Sequence, residues 1–424
     1  MNHLRRVSPL LQEGGLYLWA VMLPFSKAAT EIAFGVLLLG WLLERIDPQT
    51  RRASLWWDQS MRPLAIAVIA YLGACSLSVL VSTFPATSVA GLIQKWLEYV
   101  LLLVIGADVG RRQGIVKRAL ILLAFSSFLV VIEVLAQERF GVGLFRGRRL
   151  DFYRRVTGPY ENPIDLATYL MVVTPVLVGF SWGRRGLARV ALWTLVAALS
   201  TMFAMTKSLG AFLGLGAGIL LSLRRRILRP SVLLVTGVAL IAVWAVLQGT
   251  GILRGILFLV DVGKTDRWMM WQAALRMILD RPILGHGVNT FMANYLTYWV
   301  GGEQQPRYAH NCYLQVAAET GLVGLAALAV LLWRLASRLT IGMRRSQPRR
   351  RPVLAGMAIG LLAFIVQAGF DTNFYSLRQA ALFWTLSGLA IGYATSDSRT
   401  EGTRPSPSRQ RHAAAHTGLV PHPS

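Results

Sequence analysis

Residues 264–287 read KTDRWMMWQAALRMILDRPILGHG, and residues 305–314 read QPRYAHNCYL. Both lie in the interval Arg254 to Leu314, the longest stretch between apolar spans that is not itself a span. A loop of that length in a membrane protein carries structure and function of its own. It is crowded with Arg254, Lys264, Arg267, Arg276, Arg281 and Arg307. Trp268, Trp271, Leu275 and Ile278 recur at helical spacing, and Thr265 or Asp266 can cap the start. Asp280-Arg281-Pro282 stops this helix, and Pro282 to Gly287 reads as a turn. The expected helix lies on the membrane surface with its tryptophans at head-group depth. Arg267 sits near its N-terminus, an end that favours negative charge, so a phosphate ligand or an acidic neighbour is expected there. His310 closes the interval and leads directly into an apolar helix.

On both sides of this interval the chain is apolar. Of its 424 residues 54% are hydrophobic and only 15% charged, and mean hydropathy is +0.49. A soluble domain carries nearer a quarter charged residues. Runs long enough to cross a bilayer as helices recur from end to end. They fall near 15–26, 29–44, 63–83, 88–107, 115–136, 163–182, 187–205, 209–223, 231–248, 313–335, 353–370 and 379–394. The pattern predicts an all-α integral membrane protein of about twelve transmembrane helices over 1–395. A large helical loop, 249–312, separates the ninth and tenth spans, and the polar tail 396–424 is expected to be disordered. The first apolar run, after Gly14-Gly15, reads as a membrane anchor rather than a cleaved signal.

The net charge of +24 would suggest nucleic acid in a soluble protein. No zinc-finger, homeodomain or RNA-recognition spacing accompanies it, so no nucleic-acid partner is expected. Retention of Lys and Arg in cytoplasmic loops explains most of the excess, and the bias favours both termini inside. The 254–314 interval then faces outward, into the periplasm if the source is a Gram-negative bacterium. A second outward loop, 137–162, breaks the rule with Arg139, Arg146, Arg148, Arg149, Arg154 and Arg155. Solvated surface or anionic lipid head groups would account for such charge. So would two arginine-rich loops converging on a phosphate-bearing ligand, because guanidinium matches phosphate geometry with forked hydrogen bonds.

No P-loop, dinucleotide fingerprint, zincin helix or Gly-x-Ser-x-Gly elbow is present. Cys75 and Cys312 form no disulfide framework, and no metal-ligand cluster accompanies the outward histidines His286 and His310. His310 is therefore the candidate general base, against the plainer role of a hydrogen-bonding residue at a helix start. His286, between two glycines in a turn, reads as structural. Polar groups within spans are costly and usually serve a purpose. Lys95 and Glu98 stand one turn apart and are expected to neutralise each other. Lys207 sits at an outer helix junction within reach of a phosphate. Glu319, two turns below His310, is expected to orient a polar network or pair with an arginine. Asp371 ends a span on the outer side as a partner for arginine.

Several segments, in order, resemble the O-antigen ligase and polymerase superfamily. They are Arg155-Val156-Thr157-Gly158-Pro159-Tyr160-Glu161-Asn162-Pro163 with Ala167, Thr206-Lys207-Ser208-Leu209-Gly210-Ala211, Pro282-Ile283-Leu284-Gly285-His286-Gly287, and His310-Asn311-Cys312-Tyr313-Leu314 with Glu319, Gly321 and Gly324. Many members carry arginine where Leu209 stands, and here the nearby charge is Lys207. The resemblance implies a glycosyltransferase-C-like membrane enzyme of the inner membrane with its site toward the periplasm. Its donor would be a glycan on undecaprenyl pyrophosphate and its acceptor a sugar hydroxyl of lipid A-core. It would be inverting, with no metal and no cofactor. His310 would be the base, and Arg146, Arg148, Arg155, Asn162, Lys207, Arg267, Arg307, Asn311, Glu319 and Asp371 would form the substrate site. The same architecture serves O-antigen polymerases and protein O-oligosaccharyltransferases. A transporter of lipid-linked glycan would instead place coupling residues at the midplane of repeated halves, and no repeat is seen.

Overall fold

Arginine, proline and glycine punctuate the apolar runs, and the segments between them are helical. The computed structural model describes residues 2–46, 54–112, 114–151, 154–227, 267–301 and 304–396. Its helices are α1 (Asn2–Met22), α2 (Lys27–Ile46), α3 (Arg62–Leu80), α4 (Pro85–Val109), α5 (Ile115–Phe140), α6 (Pro163–Ser181) and α7 (Gly186–Met205). They continue with α8 (Leu209–Ile227), α9 (267–280), α10 (Cys312–Arg345), α11 (Arg351–Gln367) and α12 (Leu377–Thr395). The one β pairing among the described residues is a bridge between Val142 and Arg149. Six helices are long and apolar enough to cross a membrane: α3 with its preceding turn, α4, α5, α6, α7 and α10. The expected span 231–248, the helix start at Thr265 or Asp266 and the tail from 397 lie outside the described residues.

Small residues set the closest helix contacts. A Cβ on Gly388 of α12 would come within 2.4 Å of the Leu103 carbonyl oxygen of α4, and one on Gly392 within 2.3 Å of that of Ala107. Apolar lipid offers helices little drive to associate, so close backbone packing carries the contact.

Two local departures from regular helix position the site. In α4 the segment Leu92–Leu97 is a π-helix, a wider turn that recurs at functional sites. In α10 the backbone breaks at Gly321, with φ 68° and ψ −175°. The break frees backbone groups that lipid could not satisfy. The 282–287 loop supplies their partners: His286 N–H donates to Ala318 O (3.1 Å) and Gly287 N–H to Glu319 O (2.8 Å). In return Leu322 N–H donates to Pro282 O at 2.8 Å. A Cβ on Gly321 would meet the Ile283 oxygen at 2.0 Å, so only glycine permits this docking.

The buried face of α9 is Met270, Ala273, Ala274 and Met277, packed on Phe291, Tyr295, Ala309 and Ala318. The face read as lying on the membrane, Trp268, Trp271, Leu275 and Ile278, is distinct from this one. Trp268 and Leu275 are exposed, with Leu279 beside them.

Candidate functional site

Asn311 begins α10 as its N-cap, its side-chain oxygen accepting from Tyr313 N–H (3.0 Å) and Leu314 N–H (3.1 Å). Just before it, His310 adopts a left-handed backbone, φ 47°. The turn after α11 closes on this helix start. Cys312 N–H donates to Ala368 O (2.8 Å) and Asp371 O (3.2 Å), and its thiol donates to Asp371 O at 3.2 Å. Together these contacts bring His310 Nδ1 to 3.2 Å from Asp371 Oδ1. An ionised carboxylate only accepts, so Nδ1 carries the hydrogen and Nε2 the lone pair. Among the described residues Nε2 has no partner, and the ring is half-buried. With the imidazole neutral, this geometry leaves the Nε2 lone pair able to accept a proton.

Phe370, beside Asp371, holds one of the expected cations. Arg267 Nη1 donates to the Phe370 carbonyl at 3.3 Å and uses one of the guanidinium's donors there. Gly210 packs against the Phe370 side chain, which brings the α7–α8 junction alongside. Lys207 occupies that junction with φ 51°, and its ammonium has no partner among the described residues. Arg307 is half-buried three residues before His310.

A second group lies around Glu319, which is fully buried. Its carboxylate accepts from Asn289 N–H (2.7 Å), Phe291 N–H (3.1 Å), Gln315 Nε2 (3.2 Å) and the Tyr375 hydroxyl (2.8 Å). Glu319 thus centres a polar network and, among the described residues, pairs with no arginine. Lys95, in the π-helical turn, donates to Asn289 Oδ1 at 2.7 Å. Its ammonium also faces the rings of Tyr375 (5.7 Å) and Tyr308 (6.0 Å). The expected neutralisation of Lys95 by Glu98 is therefore corrected, because the π turn shifts the phase that an α-helix would give the pair. Burial raises the Tyr308 and Tyr375 hydroxyls above the ordinary phenol value, and the nearby Glu319 adds to it.

The 137–162 loop is organised differently. Arg155 is held by Asp151 through Nε (2.7 Å) and Nη2 (2.6 Å), and Arg148 Nη2 lies 3.4 Å from Glu161. Glu161 also meets Lys27 at 3.1 Å, and chiefly that bond holds its carboxyl below the ordinary value. Asn162 caps α6, accepting from Asp165 N–H at 2.8 Å. Arg146 is exposed, and its backbone N–H donates to Glu133. Of the residues expected at the substrate site, the fold joins Asp371 to His310 and ties Arg267 to the carbonyl of the neighbouring Phe370. It employs Asn162 and Asn311 as caps, Glu319 as a network centre and Arg155 as a local pair. Sequence reading singled out Lys95 as a lysine in an apolar span but gave it Glu98 as partner, and it missed Asn289.

Among the described residues no group of three or more His, Cys, Asp or Glu gathers as a metal site. The helices define a multi-pass membrane protein, and this polar cluster lies beside a broken helix. Residues 193–329 match the family model described as O-antigen ligase, which bears out the resemblance to that family. The match contains Lys207, Arg267, Asn289, His310 and Glu319, and it supports a membrane glycosyltransferase of the ligase and polymerase type. No curated protein matches the chain.

Proposed function

We propose that this chain is an O-antigen ligase. It transfers a glycan from undecaprenyl pyrophosphate to a sugar hydroxyl of lipid A-core at the periplasmic face of the inner membrane. Twelve spans place both termini in the cytoplasm, with the 249–312 loop outside. The observation that carries the reading is the His310–Asp371 pair, with Arg267 bonded to the carbonyl of Phe370, the residue before Asp371. The acceptor hydroxyl gives its proton to His310 Nε2 as its oxygen attacks the anomeric carbon. The bond from that carbon to the phosphate oxygen breaks, and its electron pair leaves with the pyrophosphate. Attack opposite the leaving group inverts the anomeric centre. Arg267, Lys207, Arg307 and Lys95 stabilise the departing charge by preorganised electrostatics. No metal or cofactor has a part in this scheme.

The experiment is transfer of a labelled glycan from its undecaprenyl carrier to purified rough lipopolysaccharide, with and without EDTA. Transfer in both arms is expected. Polymerisation of the donor alone, or transfer to Ser or Thr of a protein, would reassign the acceptor. Activity lost to EDTA and restored by one divalent ion would reassign the chemistry.

A further inference from the structure

Asn289 shares its left-handed backbone, φ 63°, with His310 and Lys207. Asparagine tolerates that region better than most residues, but it still needs a reason to be held there. Two observations supply one. Glu319 accepts the backbone N–H groups on either side of the turn, those of Asn289 and Phe291, and so fixes the backbone from a buried position. The Asn289 side chain then presses against α4 exactly where Gly91 leaves room: a Cβ on Gly91 would stand 2.2 Å from Asn289 Cβ and 2.9 Å from its Nδ2. From there Oδ1 accepts the hydrogen bond of Lys95 at 2.7 Å.

We infer that Asn289 is a positioning residue that holds the Lys95 ammonium toward the pyrophosphate of the lipid-linked donor. The inference rests on the donor site proposed above. A lysine is a flexible point charge on a four-carbon stem, so its value to an anion depends on what fixes it. A neutral amide fixes it without cancelling its charge. The tyrosine rings of Tyr308 and Tyr375 flank the ammonium and leave its charge intact. The buried Glu319 is engaged by four other donors, so it braces the turn rather than capturing the lysine.

The test uses the full-length protein in nanodiscs with undecaprenyl pyrophosphate as the probe. Asn289→Ala should weaken its binding about ten- to a hundredfold, as expected when a charged group loses a hydrogen-bond partner. Asn289→Asp keeps the size, the turn and the hydrogen bond but pairs Lys95 with a carboxylate. It should weaken binding at least as much while melting unchanged. Gly91→Ala should reproduce the Asn289→Ala loss by displacing the side chain. In a Lys95→Gln background, Asn289→Ala should add almost nothing, because the effect runs through Lys95. Wild-type affinity in Asn289→Asp, or additive losses in the double variant, would overturn the assignment. So would failure of the unaltered protein to bind the probe. Binding is read apart from transfer, so an unaltered protein that binds but transfers no glycan would defeat the proposed function and leave the clamp supported.

Discussion

The two loop regions that carry surplus arginine are used differently. Between α5 and α6, Arg155 is gripped by Asp151 and Arg148 meets Glu161. That loop hangs on two buried side chains of α5. Glu133 accepts from Phe145 N–H (2.6 Å) and Arg146 N–H (3.0 Å), and Gln137 bonds Arg148 O, Thr157 and Gly158. Around Phe370, by contrast, neither Arg267 nor Lys207 forms an ion pair among the described residues. Counting arginines does not locate an anion site. A guanidinium matched to its own acid braces a loop, whereas one resting on a carbonyl keeps its charge for a ligand.

The largest effect is expected at His310. A general base contributes roughly 10²–10⁴-fold to rate, so His310→Ala should abolish most transfer while donor binding survives. His310→Gln retains hydrogen bonding but cannot take up the proton, and it should fail as well. Turnover measured beside melting in detergent checks this. An active His310→Gln protein would make His310 a structural residue at the helix start and erase the contrast between the regions.

Next comes charge reversal. Arg267→Glu should raise the donor KM by roughly ten- to a hundredfold, the scale of a lost charged hydrogen bond. Arg148→Glu, beside Glu161, should change donor KM far less at matched expression. Equal effects would return the two loops to one shared site, and donor titration of both variants decides between them.

Glu133→Ala addresses the brace itself. Two backbone N–H groups lose their acceptor, and a buried unsatisfied donor costs about 1–3 kcal/mol. The expected outcome is a lower melting temperature and faster hydrogen exchange at Phe145 and Arg146, with the donor KM little changed. A KM effect as large as that of Arg267→Glu would show that the hairpin contacts substrate.

The smallest effect is with pH. Burial holds the His286 imidazole below its ordinary value of 6.5, against the opposing pull of the Met277 carbonyl and Asp280, with Arg281 adding to the depression. A base depressed on folding contributes its stability in full above the unfolded value and loses it as pH falls below. Between pH 7 and 5 the 282–287 loop should loosen on the α10 break. Hydrogen exchange at Leu322, corrected for intrinsic rate, should show it. Glu161 is a carboxylate with a depressed value, so the hairpin contact it makes should persist through the same window. Loosening of both regions together would point to global unfolding.

Much of the fold is legible in composition and periodicity, because apolar runs of membrane length have few alternatives to helix. The bases of the site were legible in part. His310 stood alone before an apolar helix, and its ordered neighbours matched a family. Nothing in local sequence distinguishes Arg155 from Arg267, because both are arginines in basic outward loops. Asp151, four residues before Arg155, captures it through a loop conformation that spacing alone does not dictate. Lys95 and Glu98 have the spacing of a helical pair, yet a π turn and a residue 194 positions away decide the lysine's partner.

The sequence by itself determined where most helices lie, which segments avoid water, and that His310 stands before an apolar helix in a stretch rich in basic residues. These follow from hydropathy, glycine and proline placement and side-chain chemistry, which are local properties. Tertiary structure alone decided that Asp371 orients His310, that Gly321 opens α10 to the 282–287 loop, and that Asn289 rather than Glu98 receives Lys95. Each of these joins residues far apart in the chain, and only the packing of helices against one another sets such distances.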